Sequence, residues 1–383
     1  MPCIASRQSG VLAMKLGGFP RLLRHERFLA VSVATSIAFV CYGARLLDGL
    51  DGPLWLAVIF VWLFAVILGS ALAVVRHAEH LGHRLGEPYG TLVLTLSITA
   101  IEVISITAIM LHGDNNPTLA RDTLFAVTMI VLNGMVGLSL LLGGWRHREQ
   151  QYNLQGANAY LCVVIPLGIL SLVMPNYTVY PQKTLTFAQE AFLAVVCAGL
   201  YIAFLALQTR RHRAYFAAAE DDDEASSVMH GGAARTTFHA LFLLAYMVPV
   251  VYLAEKLAHP VDYVVETLGK PAALAGLVMA VLVATPEGIG AVRAARDNHM
   301  QRSVNIFLGS VLSTIGLTIP AILVISHLTG HPIELGLQHT DLVLFLLTLT
   351  VSLVTFSSGH TNVLQGAVHL ILFAAYLFYM FQG

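Results

Sequence analysis

The sequence predicts an all-α protein that crosses a membrane many times, and three observations indicate this fold class. Apolar residues make up 57% of the 383 residues and charged residues only 11%, whereas about a quarter of an average soluble domain is charged. The mean hydropathy is +0.74. Long apolar segments recur along the whole chain, and most basic residues lie in alternate connections between them. This composition excludes a soluble globular protein and a disordered chain.

The apolar segments are long enough to cross a bilayer as helices. A helix needs about 20 apolar residues to span the hydrocarbon core, and eleven segments approach or meet this length. They are rich in Leu, Val, Ala and Ile, and they leave no polar face wide enough for a soluble helix. The predicted spans cover residues 29–47, 54–75, 90–112, 123–145, 158–175, 186–207, 237–256, 271–295, 303–326, 340–357 and 360–381.

The distribution of basic residues predicts the orientation of the chain. Cytoplasmic loops of membrane proteins carry the excess of Lys and Arg. With the N-terminus inside and eleven spans, 16 of the 21 basic residues fall inside and 5 outside. We therefore expect a cytoplasmic N-terminus, an external C-terminus and membrane lipid around the helices. The net charge of −1 argues against nucleic acid as a partner.

The order of the spans predicts an internal repeat. Without the first span, the remaining ten spans form two groups of five. The expected parts of the chain are therefore an N-terminal segment with the first helix (1–53), a first repeat (54–207), a cytoplasmic loop (208–236) and a second repeat (237–383). Because five is odd, the two repeats insert in opposite orientations and their matched helices run antiparallel. A weak sequence match supports the repeat. Gly137-Leu-Ser, in the third helix of the first repeat, resembles Gly316-Leu-Thr, in the third helix of the second repeat.

Two polar segments lie outside the predicted spans. The loop carries the acidic run Glu220, Asp221, Asp222, Asp223 and Glu224, which is typical of a solvated linker; a regulatory segment that concentrates cations is the alternative. Residues 76–84 contain His77, Glu79, His80 and His83. Their spacing matches no specific zinc pattern, so we expect a solvated loop, with a metal site as the alternative.

Glu102 and Glu287 are the acidic residues that lie well inside predicted spans, on the second helix of each repeat. An acidic residue at membrane depth is costly, by about 2.5–3.5 kcal/mol for aspartate on the insertion scale. Because matched helices of an inverted repeat meet near the midplane, the two carboxyl groups indicate one shared site for a cation and protons. A protonated glutamate that bridges two helices is the structural alternative.

Oxygen-bearing groups around the two glutamates favour a hard cation. Pro286 has no amide hydrogen, so it frees the carbonyl group of Leu282. Calcium takes six to eight oxygen ligands, and two glutamates balance its charge, so we expect Ca2+ to bind at Glu102 and Glu287. The candidate supporting ligands are Ser97, Thr99, Asn133, Ser139, Leu282, Thr285, Asn305, Ser310 and Ser313.

The last predicted span carries three polar residues on one helical face, Asn362, Gln365 and His369. A polar stripe that joins neighbouring helices is one interpretation of them. A proton path is the other. The sequence leaves both open.

At these residues the chain resembles the bacterial calcium/proton antiporters of the cation/calcium exchanger superfamily, close to their ChaA-type branch. The similar segments are LSITAIE (96–102), PTLARDT (117–123), PEG (286–288), NIFLGSVLSTIGLTIP (305–320) and GHTNVLQG (359–366). The resemblance implies a multi-pass transporter of the bacterial inner membrane, without a cofactor and without enzymatic activity. It also implies export of Ca2+, with Na+ and K+ as further candidate cations, in exchange for external H+.

The resemblance further implies that Glu102 and Glu287 alternate between cation and proton. Many calcium/proton exchangers have an asparagine three residues before each glutamate, where this chain has Thr99 and Ala284. A monovalent Na+ or K+/H+ antiporter without Ca2+ transport is therefore the alternative, and a cation channel is the alternative from another class. An inverted repeat around one site favours alternating access over a pore.

Overall fold

The computed structural model describes residues 26–85, 89–110, 117–178, 185–216 and 233–382. Within these ranges the chain forms eleven long helices. They are α1 (Arg27–Leu47), α2 (Pro53–Leu85), α3 (Tyr89–Met110), α4 (Leu119–His147), α5 (Leu154–Thr178), α6 (Phe187–Arg211), α7 (Ala233–Asp262, extended by a π-helical turn at Tyr263–Thr267), α8 (Ala273–Arg296), α9 (Met300–Thr329), α10 (His339–Phe356) and α11 (Val363–Gln382). The acidic run at 220–224 lies outside the described residues.

The helices agree with the spans that the apolar segments predict. Ten of the described helices are long and apolar enough to cross a membrane, and α3 contributes a further apolar stretch at Thr95–Met110. Helices suit these segments because a spanning helix satisfies its own backbone hydrogen bonds where no water is available. The prediction of an all-α, multi-pass membrane protein with about eleven spans is therefore confirmed.

Helix α2 is longer than its predicted span, and the expectation of a solvated loop at 76–84 is wrong. The helix continues to Leu85, and His77 within it is only 1% exposed. The Nδ1 atom of His77 lies 2.9 Å from Nδ1 of His239 on α7. Among the residues that the structure describes, no group of three or more His, Cys, Asp or Glu side chains could hold a metal ion.

A buried carboxylate next to this histidine pair joins the start of α1 to α2 and α7. Glu26 accepts hydrogen bonds from Arg76 at 2.7 and 3.0 Å and from the hydroxyl group of Tyr246 at 2.9 Å. The Nε2 atom of His77 lies 3.3 Å from the same carboxylate. The polar residues of α2 thus remain helical because their partners lie on two distant segments of the chain.

The third helix of each group of five contains a π-helical turn, at Ile130–Met135 in α4 and at Thr314–Thr318 in α9. Helix α8 packs along α4 at two glycines. A Cβ atom on Gly276 would lie 2.6 Å from the carbonyl carbon of Asp122, and one on Gly288 would lie 2.6 Å from Cε of Met135. Residue numbers rise in the same direction on both helices, so α4 and α8 run parallel and in close contact.

Substitution of Glu26 tests the polar junction of α1, α2 and α7. Glu26→Gln weakens charge-assisted hydrogen bonds to Arg76 and Tyr246, so we expect a loss of about 1.5–3 kcal/mol in stability. The thermal unfolding midpoint of the purified protein in detergent should fall by several degrees. Glu79→Gln, on α2 three residues after Arg76, is the control and should leave the midpoint unchanged. Equal midpoints for Glu26→Gln and the unmodified protein would show that the junction contributes no stability.

Candidate cation-binding site

Glu102 lies on α3, is 1% exposed, and is held by the π-helical turn of α9. Its Oε2 atom accepts hydrogen bonds from the hydroxyl groups of Thr314 at 3.1 Å and Thr318 at 3.0 Å. Both threonines belong to the second group of helices, whereas Glu102 belongs to the first. The carboxylate is therefore held by side chains from the opposite half of the chain.

Glu287 lies on α8, within hydrogen-bonding reach of Ser310 on α9. Its neighbour Gly288 packs against Met135, the last residue of the π-helical turn of α4. Ile98 and Val283, each four residues before one of the two glutamates, pack in one buried cluster, so α3 and α8 meet on the side that carries Glu102 and Glu287. The structure thus brings together the two carboxyl groups that the sequence predicts as partners.

Several oxygen atoms of the predicted site are buried and have no hydrogen-bond partner among the described residues. They are Oε1 of Glu102, Oε2 of Glu287, the hydroxyl oxygen of Thr99 and the hydroxyl oxygen of Ser139. Buried polar groups in folded proteins nearly always have a partner, and an unsatisfied one is destabilising. Carboxylate and hydroxyl oxygens are the types of ligand that a hard cation takes.

The repeat match extends to the residues that face the two glutamates. When the two repeats are aligned with Gly137 opposite Gly316, Ser139 aligns with Thr318 and Met135 aligns with Thr314. Thr314 and Thr318 bond Glu102, and Met135 contacts the glycine that follows Glu287. Ser139 follows Met135 by four residues, so both lie on the same face of α4.

The remaining supporting ligands on α3, α8 and α9 have partners in their own helices. Ser97 donates to the carbonyl oxygen of Val93, Thr285 to that of Val281 and Ser313 to that of Ser310. Leu282 is buried. Helix α8 remains α-helical through Pro286, so the local loosening expected there does not interrupt the helix. Near the two glutamates, π-helical turns lie in α4 and α9 instead.

The structure places two predicted ligands in other contacts. Asn305 donates to the carbonyl oxygen of Phe216 at 2.7 Å and accepts from Gln301 at 3.0 Å, in the connection that follows α6. Asn133 donates to the hydroxyl oxygen of Thr348 at 2.8 Å. Neither asparagine is seen to contact Glu102 or Glu287.

The three polar residues of the last span divide into two groups. Asn362 and Gln365 form a reciprocal cap at the start of α11: each side-chain oxygen accepts from the backbone N–H of the other residue, at 2.9 and 3.1 Å. His369 is fully buried and lies 3.2 Å from Oδ1 of Asn133. A proton path through the three residues stays a prediction.

Thr318 is a site residue that sequence reasoning did not select. The signal was present, because Thr318 ends the Gly316-Leu-Thr triplet that matches Gly137-Leu-Ser. Thr348 and Thr355 on α10, which bond Asn133 and His369, were also missed. Isolated threonines in an apolar helix give no distinguishing signal.

Comparison with known proteins identifies the family. The model of the sodium/calcium exchanger protein family matches residues 55–210 and 238–382, which include both glutamates and the π-helical turns of α4 and α9. The chain belongs to this family. The expected resemblance to the cation/calcium exchangers is thereby confirmed, and with it a transporter rather than an enzyme.

This exchanger has curated relatives that are similar over most of their length. It is 40% identical over 318 residues to the sodium-potassium/proton antiporter ChaA of Escherichia coli strain K12, which covers 82% of this chain and 86% of the relative. It is 44% identical over 315 residues to the putative ionic transporter y4hA of Sinorhizobium fredii, which covers 82% and 85%. The structure of native YfkE shares its fold, with a TM-score of 0.72, 20% identity and coverage of 93% of this chain and 100% of YfkE.

Thr318→Val tests the contact between the exchanger's two halves at Glu102. The substitution keeps the shape of the side chain but removes a hydrogen bond to the carboxylate, which is worth about 1.5–3 kcal/mol when the acceptor is charged. The half-saturating cation concentration for flux into proteoliposomes should therefore rise about tenfold. Thr329→Val is the control, since Thr329 is exposed on the same helix and donates to the carbonyl oxygen of Ile325. Equal half-saturation in both variants would exclude Thr318 from the site.

Proposed function

We propose that this exchanger is a secondary active antiporter that exports a cation in exchange for protons, with Glu102 and Glu287 as the shared binding site. One observation carries the proposal: each of the two buried carboxyl groups keeps one oxygen without a partner among the described residues. Such oxygens can take either a proton or a metal ion. No cofactor is required for this exchange.

Competition for the same oxygens couples the two fluxes. An ionised carboxylate buried without a partner is strongly disfavoured, so each glutamate holds a proton or contributes its charge to a bound cation. A cation that enters displaces protons, and protons that enter displace the cation. Flux should therefore weaken at low pH and recover when more cation is added.

The arrangement of the two halves supports alternating access. Glu102 of the first half is held by Thr314 and Thr318 of the second, and Glu287 of the second half lies beside the π-helical turn of the first. Movement of one five-helix repeat against the other would change the access to both carboxyl groups together. This mutual support favours a carrier over a channel.

The charge of the site suits Ca2+, and the relatives add monovalent cations. Two carboxylates balance one divalent ion, and the partnerless hydroxyl oxygens of Thr99 and Ser139 are hard ligands. The relative from E. coli is named a sodium-potassium/proton antiporter. We therefore propose Ca2+ as cargo together with Na+ and K+, and exchange limited to Na+ and K+ as the second candidate. Proton movement in response to CaCl2, NaCl and KCl in turn distinguishes the two.

Replacement of either glutamate tests the mechanism. Glu102→Gln and Glu287→Gln keep the size and hydrogen-bonding capacity of the side chain but remove its charge and its titratable proton. Each variant should insert normally and lose coupled exchange by at least about 100-fold, as expected when an essential charged group is removed from a buried site. Glu190→Gln, at the start of α6, is the control. Wild-type coupled flux in both glutamate variants would contradict the paired-carboxylate mechanism.

The distribution of basic residues supports a specific topology in the bacterial inner membrane. We expect the N-terminus and the loop at 208–236 to be cytoplasmic and the C-terminus to be periplasmic. A cysteine added after Gly383, in a background without the native cysteines, should react in intact cells with a reagent that cannot cross the membrane. Reaction only after the membrane is opened would place the C-terminus inside and require an even number of spans.

A further inference from the structure

His369 on α11 is fully buried and makes contacts from both ring nitrogens. Its Nδ1 atom lies 3.2 Å from Oδ1 of Asn133. Its Nε2 atom lies 3.0 Å from the hydroxyl oxygen of Thr355. The ring therefore joins α4 to α10 from within α11.

The directions of these hydrogen bonds follow from the chemistry of the partners. The amide nitrogen of Asn133 donates to Thr348, which leaves its Oδ1 atom to accept. His369 must then carry a hydrogen on Nδ1, and the bare Nε2 atom accepts from the hydroxyl group of Thr355. The neutral ring satisfies every contact of this network.

Asn133, the partner of His369 on α4, belongs to the π-helical turn of that helix, Ile130–Met135. A π-helical turn contains one residue more than the α-helical register allows, so it disturbs the backbone hydrogen bonds around it. His369 supplies a donor to the side chain of Asn133 within this turn. Helices α4 and α11 pack closely next to this turn. A Cβ atom on Gly137 of α4 would lie only 2.9 Å from the backbone nitrogen of Leu370 on α11.

The opposite end of the same turn faces the cation site. Met135 packs against Gly288, the residue that follows Glu287, and Ser139 lies on the same face one turn later. We propose that His369 is a positioning residue: it holds the π-helical turn of α4 so that Met135 remains against Gly288, next to Glu287, and it does not carry protons. This inference rests on the proposed role of Glu287.

Substitution of His369 in proteoliposomes separates positioning from proton transfer. The readouts are the half-saturating concentrations of Ca2+ and Na+, the maximal flux, and the number of protons exchanged per cation. His369→Leu should raise the half-saturating concentration about tenfold, as expected for loss of a buried hydrogen bond, with an unchanged proton number. His369→Gln, whose amide can donate to Asn133, should restore half-saturation to within about threefold of the unmodified protein. His327→Leu, at an exposed histidine of α9, is the control.

A double substitution tests whether His369 acts through Asn133. The effect of His369→Leu combined with Asn133→Leu should be clearly smaller than the sum of the two single effects, because both changes break the contact between His369 and Asn133. Additive effects would overturn the proposal, as would an unchanged half-saturation in His369→Leu. An altered proton number in His369→Gln would make His369 a proton carrier.

Two further variants keep these outcomes interpretable. If His369→Leu fails to insert, His369→Gln becomes the deciding variant. A near-normal half-saturating concentration and an unchanged number of protons per cation would support the positioning role. A changed number of protons per cation would overturn it. Glu287→Gln in the same assay tests the proposed function separately. Retained coupled flux in Glu287→Gln would refute the role of Glu287 itself, whereas a failure of the His369 prediction alone would leave that role intact.

Discussion

The buried pair of carboxyl groups is the constraint on which the rest of the arrangement depends. Glu102 and Glu287 lie in helices that are otherwise apolar, where an unpaired charge is strongly disfavoured. Hydroxyl groups from α9 stabilise Glu102, and small residues let α8 approach α4 closely beside Glu287. The π-helical turns of α4 and α9 lie at these same contacts. Further π-helical turns lie in α5, α6 and α7, but those of α4 and α9 are the ones that contact the two glutamates or their neighbours, and π-helical turns are common at functional sites.

Each half of the exchanger supports the glutamate of the other half. Thr314 and Thr318 reach Glu102 across the boundary, and Met135 reaches the glycine next to Glu287 in the opposite direction. A site of this kind cannot be assembled by one half alone. It also means that a shift between the halves changes both carboxyl environments together, which is a physical basis for coupling access to occupancy. On the proposed positioning role of His369, the polar network of His369, Asn133 and Thr348 holds the contact of Met135 with Gly288 in place.

Much of the architecture and the candidate glutamates could be predicted from the sequence, because both depend on local signals. Apolar segment length predicts the helices, and an acidic residue in such a segment is rare enough to single out Glu102 and Glu287. Contacts between distant segments give no such signal. Helix α2 extends through His77 because Glu26 and His239 supply its partners, and nothing in residues 76–84 indicates them. Pro286 suggested an irregular helix α8, whereas that helix is regular and the π-helical turns nearest the glutamates lie in α4 and α9.

The most direct test of the shared site is the number of protons that the purified protein releases when it binds a cation. Titration calorimetry with Ca2+ and with Na+, in buffers of different ionisation enthalpy, measures this number without transport. Because binding to a protonated ligand releases its proton, the account predicts release of about one to two protons per Ca2+ and none from the Glu102→Gln/Glu287→Gln double variant. Cation binding without proton release, or equal release from the double variant, would contradict the claim that protons and cation share these two carboxyl groups.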